Sequence, residues 1–375
     1  MKRAKVMTIV GTRPEIIKLS RVITELRRQT EHVLVHTGQN YDLTLNDVFF
    51  KELNLAPPDH FLAAAGETAA ETIAQVIVKS DAILAKVAPD ALLVLGDTNS
   101  GLCVIPAKRR HIPIFHMEAG NRCFDERVPE EVNRRIIDHV SDINLPYTEH
   151  ARRYLLSEGI PPETVIKTGS PMDEVIAFYR PQISASGVLA GLQLSPRGYF
   201  VVSAHREENV DDPARLGSLL RALNAAVEHF DKSVVFSTHP RTRKRLAQGD
   251  LPKPSPRIRF MDPLGFFDYA RLQEQSFCVI SDSGTLTEEA CLLKFPGVMI
   301  REAHERPEGM DEGIVVMAGL SQDRVLESVA LVTAAVQEGR AFRSVADYQA
   351  PDLSQKVHRT IVSYIDYVNR TVWRK

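Results

Sequence analysis

The chain is poor in cysteine, nearly balanced in charge and without a long apolar run, and each shortage removes a class of protein. Four cysteines, Cys103, Cys123, Cys278 and Cys291, are scattered through 375 residues with no Cys-x-x-Cys pair. They lack the close spacing with histidine that a zinc site needs, so no metal is expected and the thiols are read as buried or inert. A net charge of −2 sets up no general field for nucleic acid or an anionic membrane, so any phosphate site has to be built locally. No run of about 18 apolar residues occurs. The N-terminal MKRAKVMTIVGTRPE has basic residues and a short apolar run, but it breaks at Gly11–Glu15 without a small-residue cleavage site, and a cytoplasmic protein is expected. Two nucleotide signatures are also missing. There is no Gly-x-x-x-x-Gly-Lys-Ser/Thr loop, and no Gly-x-Gly-x-x-Gly follows the first strand, which argues against ATP hydrolysis and dinucleotide redox. Internal repeats and low-complexity segments are absent.

What is present is alternation. Short β-branched runs, KVMTIV, HVLVHTG, ALLVLGD, PIFHMEAG and DINLPY, are separated by helical stretches, the pattern of a parallel α/β sheet. After a passage richer in Pro, Gly and Ser the alternation restarts near residue 199 with YFVVSAH, SVVFSTH, RIRFMD, SFCVISDSG, PGVMI and IVVMAG. A chain of this length accommodates two cores. VHRTIVSYIDYVNRTVW has helical periodicity with no strand after it, so it is read as a terminal helix packed across a surface.

The polar motifs sit where doubly wound sheets hold ligands, at the carboxyl ends of strands. They are Gly11–Glu15, Gly96–Asn99 and Glu118–Gly120 in the first half, and His205–Glu207, His239–Arg241 and Asp282–Thr285 in the second. Two sheets so furnished suggest a ligand held from both sides. Each motif has a plainer reading. Pro14 and Glu15 suit a helix start on their own, although Arg13 and Lys18 do not need to be there. Asp97 is as readily an N-cap. Glu118 ends a buried strand, an expensive place for an idle charge. In PEEVNRR, Glu130 and Arg134 share a helix face, as do Glu131 and Arg135, and one pair could be a solvated ion pair of little worth. Ser283, Gly284 and Thr285 open a helix and offer amides and hydroxyls to a phosphate. Glu288 or Glu289, a turn further in, could grip a sugar hydroxyl. Arg301, His304, Arg306 and Glu308 crowd a connection that needs none of them. His205 and His239, at equivalent strand ends, suit phosphate binding or acid/base work better than a core role.

Taken in order, GTRPEIIK, LGDTNS, HMEAGNR, PEEVNRR, SAHREEN, STHPRT, SDSGTLTEEA and HERPEG resemble the non-hydrolysing UDP-N-acetylglucosamine 2-epimerase family over nearly the whole chain. The resemblance implies two Rossmann-like domains in the arrangement of the B-type glycosyltransferases, facing a cleft that holds the UDP-sugar. Residues 1–170 and a C-terminal helix of about 355–375 would form the first domain, and 171–354 the second. It implies a homodimer with no cofactor. Carried over by motif, the catalytic group would be Lys18, Asp97, Glu118, Glu130 and His205, with Arg13, Arg134, Ser283, Glu289 and Arg306 binding the nucleotide sugar. His239, Gly284 and Thr285 join the binding set on their own positions.

Inversion at C2 of such a sugar removes a very weakly acidic proton. If UDP departs from C1 as that proton is lost, the developing charge has a sink and a 2-acetamidoglycal stays bound. Phosphate-binding groups then hold the departed UDP, and no nicotinamide is needed. Several segments depart from the glucosamine enzymes: QNYD after the second strand, AGNRCFDERVP between Glu118 and Glu130, and SGTLTEEA with REAHERPEGMDEG. They look more like the subgroup that converts UDP-2-acetamido-2,6-dideoxy-L-talose to UDP-N-acetyl-L-fucosamine for capsule or O-antigen, with Arg122–Val128 and 302–304 expected to shape the sugar pocket. UDP-N-acetylglucosamine is the alternative substrate. A retaining glycosyltransferase and a non-catalytic UDP-sugar sensor are the competing classes.

Overall fold

Apolar runs become central strands only where helices cover both faces, and this chain satisfies that condition twice. The computed structural model describes residues 3–39, 49–248, 251–303, 305–340 and 343–375. They fall into two units, one of residues 1–177 with 346–375, the other of residues 178–345.

In the first unit β1 (Lys5–Val10), β2 (Glu31–His36), β3 (His60–Phe61), β4 (Ala91–Leu95), β5 (Ile114–Met117) and β6 (Ile143–Leu145) form a parallel sheet in the order β3-β2-β1-β4-β5-β6. β4 and β5 are buried along their whole length. In the second unit β7 (Tyr199–Ser203), β8 (Ser233–Ser237), β9 (Ile258–Met261), β10 (Cys278–Ser281), β11 (Gly297–Met299) and β12 (Val315–Met317) repeat the scheme as β12-β11-β10-β7-β8-β9, again all parallel. Counted from its own first strand, each sheet therefore runs 3-2-1-4-5-6, the Rossmann order. Each has its own core, around Met7, Ile9, Val94 and Ile114 in one and Phe200, Phe236, Ile280 and Val298 in the other. Cys103, Cys278 and Cys291 lie in these interiors, while Cys123 is half-buried.

That order fixes where ligand can sit. β1 leads outward to β2 on one side and β4 to β5 on the other, so the loops after β1 and β4 part and leave a crevice at the sheet's carboxyl edge. The loops after β7 and β10 do the same in the second unit.

The helix Arg13–Gln29 follows β1, with Pro14 and Glu15 in its first turn, Arg27 and Arg28 in its last, and Ile16, Leu19, Val22, Ile23 and Leu26 turned inward. The terminal helix Leu353–Thr371 buries Leu353, Val357, Ile361, Ile365 and Val368 and packs against Arg13–Gln29. The chain rejoins the first unit at Ala346, ahead of the expected 355, because the Asp347 carboxylate accepts from the Glu149 amide at 2.7 Å and from Lys167 at 2.5 Å. The other boundary falls inside the helix Pro171–Ala185, later than the expected 170. Glu174 on its first half accepts from the amide and hydroxyl of Ser354, while Tyr179 on its second half packs against Phe267, their ring centres 5.2 Å apart and the rings tilted. Among the described residues no helix is long and apolar enough to cross a membrane.

Gly120, in the turn after β5, has φ +81°, and a Cβ there would lie 2.4 Å from the Ala151 carbonyl oxygen. The expected result of Gly120→Ala is a loss of about 3 kcal/mol, combining left-handed strain with overpacking. Urea unfolding should show a lower midpoint with an unchanged slope.

Candidate functional site

At the switch point of the first unit, a buried carboxylate joins the two diverging loops. Glu15 accepts from the Gly11 amide at 3.0 Å and the Thr12 hydroxyl at 2.7 Å, both after β1, and from the Thr98 hydroxyl at 3.1 Å, after β4. Burial pushes its carboxyl up to about 7, against the lowering effect of those three bonds. Arg13 and Lys18 leave the same helix start. Arg13 lies half-buried over the Phe49 ring. Lys18 is buried and its Nζ donates to Glu118 Oε2 at 2.7 Å. Glu118, just past β5, has φ +63°, an uncommon conformation for a residue with a Cβ. The Tyr147 hydroxyl donates to the same Glu118 oxygen at 3.5 Å, and the ammonium of Lys18 stands 5.8 Å from the centre of the Tyr147 ring. A carboxylate, an ammonium and a phenol thus meet at one strand end, most of their surface out of water.

The helix Pro129–Val140 supplies the next layer. Arg134 donates from Nε to Asp97 Oδ2 at 3.1 Å and from Nη2 to the same oxygen, so Asp97 faces a guanidinium and is not acting as a simple cap. Asn133 holds the Asp97 carbonyl at 3.1 Å and Asn99 Oδ1 at 3.0 Å. Arg134 Nη1 also donates to Glu131 Oε2 at 2.8 Å, and Arg135 contacts the other Glu131 oxygen at 3.4 Å. Which of the two helix-face pairs is solvated was left open by the sequence; Glu131 is fully buried and spans both arginines, and the Cys123 amide also donates to it at 3.1 Å. Glu130 is half-buried at the first turn.

In the second unit Asp282, fully buried at the end of β10, accepts from the backbone amides of His205 and Arg206 at 3.1 Å and from Asn209 at 3.2 Å. His205 Nδ1 is 3.3 Å from Asp282 Oδ1. This fixes the imidazole while leaving it 38% exposed. His239 stands 6.0 Å from it, ring to ring, and its Nδ1 caps the helix Pro240–Leu246 through the Arg241 amide at 3.3 Å. Ser283 and Thr285 share a hydroxyl contact of 3.0 Å, Thr285 donates to Glu289 Oε1 at 2.9 Å, and Gln273 donates to Glu289 Oε2 at 2.6 Å. They form a polar lip at the start of the helix Leu286–Leu293. Gly284 lies among them, where an added Cβ would come within 2.6 Å of Glu305 Oε1 and displace the end of that side chain. Of the two acids a turn in, Glu288 is fully buried with Arg306 Nη2 at 3.6 Å, and Glu289 is the one within reach of solvent. Arg301, also buried, donates to Glu305 at 2.8 Å. Glu308 is buried; His304 lies outside the described residues, as do Asn40, Tyr41 and Asp42.

Each unit brings its own share of the expected residues together. Lys18 with Glu118 and Asp97 with Arg134 make direct contact, as do Ser283, Thr285 and Glu289. Sequence reasoning missed His116, Asn133, Asp138 and Tyr147, and it named Glu15, Glu131 and Asp282 within their motifs without giving them a role in the site. For the helical ones a signal existed: Glu131, Arg134 and Asp138 fall on one face at spacings of three and four.

A family model described as UDP-N-acetylglucosamine 2-epimerase matches residues 24–362. The structure of UDP-N-acetylglucosamine 2-epimerase from Rickettsia bellii is similar at a TM-score of 0.92 and 50% identity, covering 100% of both chains. That of the Methanocaldococcus jannaschii UDP-GlcNAc 2-epimerase in complex with UDP-GlcNAc and UDP gives 0.88 and 31%, over 96% of this chain and 99% of the other. The UDP-2,3-diacetamido-2,3-dideoxy-D-glucuronate 2-epimerase of Pseudomonas aeruginosa is 34% identical, over 86% of this chain and 91% of its own.

Glu15 makes a pH-dependent contribution of definite sign. Its folded value of about 7 lies above the ordinary 4.5, so the native state binds the proton more tightly. The stability this gives is complete below about pH 4.5 and is lost as pH rises through about 7, a swing of about 3 kcal/mol. Glu15→Gln keeps a neutral group of the same shape. Urea unfolding from about pH 5 to about pH 8 should therefore show the wild type losing about that much more stability than the variant; parallel pH curves would place Glu15 in the ordinary carboxylate range.

Proposed function

The chain belongs to the UDP-N-acetylglucosamine 2-epimerase family of non-hydrolysing UDP-sugar isomerases, and from that premise we propose that it inverts C2 of a UDP-2-acetamido sugar by losing and regaining UDP. In the forward half a base takes the C2 proton. The C2–H electron pair becomes the C1–C2 double bond, and the C1–O bond breaks with its pair leaving on UDP. In the return half an acid protonates C2 from the other face and the diphosphate oxygen closes on C1. The observation that carries this reading is Glu118. It is a carboxylate on a left-handed turn, nearly dry, with Lys18 at 2.7 Å.

An ammonium committed to Glu118 serves better as fixed charge than as a proton shuttle, so Lys18 is assigned electrostatics. Asp97, Glu118 and Glu130 divide the proton transfers, with Arg134 holding Asp97. His205, oriented by Asp282, is the acid/base candidate of the second unit. Arg13 serves the developing negative charge. Ser283, Gly284, Thr285 and the helix start behind them suit a diphosphate, with Glu289 toward a sugar hydroxyl and Arg306 and His239 in supporting places.

For the sugar itself we take UDP-2-acetamido-2,6-dideoxy-L-talose as substrate, on the segments after Glu118 and before Glu305. Arg122 drops out of the residues expected to shape that pocket, because it is wholly buried against Asp138 and Glu158. Phe124, 65% exposed, is the apolar side chain that segment presents. A second reading, UDP-N-acetylglucosamine, is favoured by the name of the Rickettsia bellii relative at 50% identity.

Incubation with single UDP-sugars in deuterated water, followed by proton NMR, tests the reaction. Turnover without any acceptor and with deuterium at C2 is expected. Full retention of the C2 proton would overturn the elimination route, and a requirement for an acceptor would make the protein a glycosyltransferase. Of the two sugars, the L-talose nucleotide should have the higher kcat/KM, by more than the roughly 10²-fold that a single hydroxyl commands in an apolar pocket. Glu118→Gln, Asp97→Asn and Glu130→Gln should each lower kcat by about 10²- to 10⁴-fold with little change in binding. Ser283→Ala should act chiefly on UDP affinity, read by calorimetry.

A further inference from the structure

Two side chains that play no part in the proposed chemistry lie between the carboxylates that do. His116, on β5, and Asp138, on the helix Pro129–Val140, are both fully buried. His116 Nε2 is 2.8 Å from the Gly96 carbonyl oxygen. A carbonyl only accepts, so Nε2 carries the hydrogen. The Gly96 amide is bound in turn to the Met117 carbonyl at 3.0 Å. Both polar groups of the residue before Asp97 are thus held by β5.

Asp138 does the equivalent on the far side of Glu118. The Gly120 amide lies 3.2 Å from each of its oxygens, Arg122 Nη1 is 2.7 Å from Oδ2, and His116 Nδ1 is 2.9 Å from Oδ1. That last contact is close without being an aligned hydrogen bond. Arg122 is itself clamped by Glu158, Nε to Oε1 and Nη2 to Oε2, each at 2.7 Å. Glu118 therefore sits between Met117, locked in the strand ladder opposite Leu95, and Gly120, locked on Asp138. A left-handed glutamate persists only where its surroundings over-determine it, and these are the surroundings that do so.

We propose that His116 and Asp138 are positioning residues, which together hold the Glu118 turn and the Gly96–Asp97 turn at the separation that C2 chemistry requires. Neither touches the sugar. They act through the backbone on either side of the carboxylates, and the proposal rests on the reading that those carboxylates move the protons. Misplacing such groups by about an ångström costs on the order of 10²-fold in rate while leaving nucleotide contacts intact.

The test compares His116→Leu, His116→Gln and Asp138→Asn with wild type and Glu118→Gln. Measured are kcat, KM, UDP affinity by calorimetry, and amide hydrogen exchange at Gly96 and Gly120. Leucine removes the donor to Gly96, whereas glutamine keeps an N–H that reaches it. His116→Leu should lower kcat about 10²-fold with UDP affinity unchanged, His116→Gln should recover at least about tenfold of that, and exchange at Gly96 should rise in step with the lost rate. Asp138→Asn should show the same kcat loss with faster exchange at Gly120. Should the leucine variant fail to fold, the asparagine variant decides the matter alone. Wild-type kcat in His116→Leu or Asp138→Asn, or a loss confined to KM, overturns the proposal. Full activity in Glu118→Gln would instead sink the reading of the carboxylates, so the two failures are told apart by that control.

Discussion

The Lys18–Glu118 ion pair is the constraint around which the first unit is arranged. Two charges 100 residues apart in sequence meet at 2.7 Å with 5% and 13% of their side chains exposed. Withdrawing such charges from water costs several kcal/mol per ion before their attraction is counted, so a pair of this kind is poor evidence of stability. It persists because its supports are rigid. Lys18 is one turn into a helix whose start is tied by Glu15, and Glu118 is locked between a strand ladder and the Gly120 amide. A pair braced this thoroughly at a strand end suits the proposed role of a field acting on a bound molecule.

The helix Pro129–Val140 explains how one short element serves so many groups. Glu131, Arg134 and Asp138 project from one face, and Asn133 from its edge, so that Asp97, the loop after β5 and the Gly120 amide are all reached at once. Positive and negative groups alternate across this layer. Arg134 faces Asp97 and Glu131, Arg122 faces Asp138 and Glu158, and each buried charge has an opposite neighbour within 3.1 Å. The same logic runs in the second unit, where Asp282 gathers two amides and an asparagine beneath His205.

Much of this was legible in the sequence because the fold is a repeated local rule. Runs such as ALLVL are apolar throughout, as a two-sided parallel sheet requires, and Pro14 and Pro129 mark helix starts. β3 went unseen because a two-residue strand is too short to show any period. The ion pairs between β-loops were out of reach for another reason. Lys18 with Glu118, and Arg134 with Asp97, depend on strand order, and β1, β4 and β5 become neighbours only once the crossovers are known. His116 and Asp138 were passed over because a histidine inside a strand and an aspartate late in a helix read locally as packing and solvated charge.

The division of labour proposed for the two units rests on what each switch point can hold. The first gathers carboxylates against fixed cations, a field suited to a proton that must leave carbon and return. The second gathers hydroxyls and a helix start around Gly284, with the Arg206 guanidinium alongside and held by Glu305 at 3.3 Å. An elimination needs both properties, because the leaving diphosphate has to be held strongly enough to stay and weakly enough to attack again. Each of these cations has a carboxylate neighbour, Arg206 and Arg301 on Glu305 and Arg306 toward Glu288, which on the proposed reading moderates the positive field at the lip without removing it.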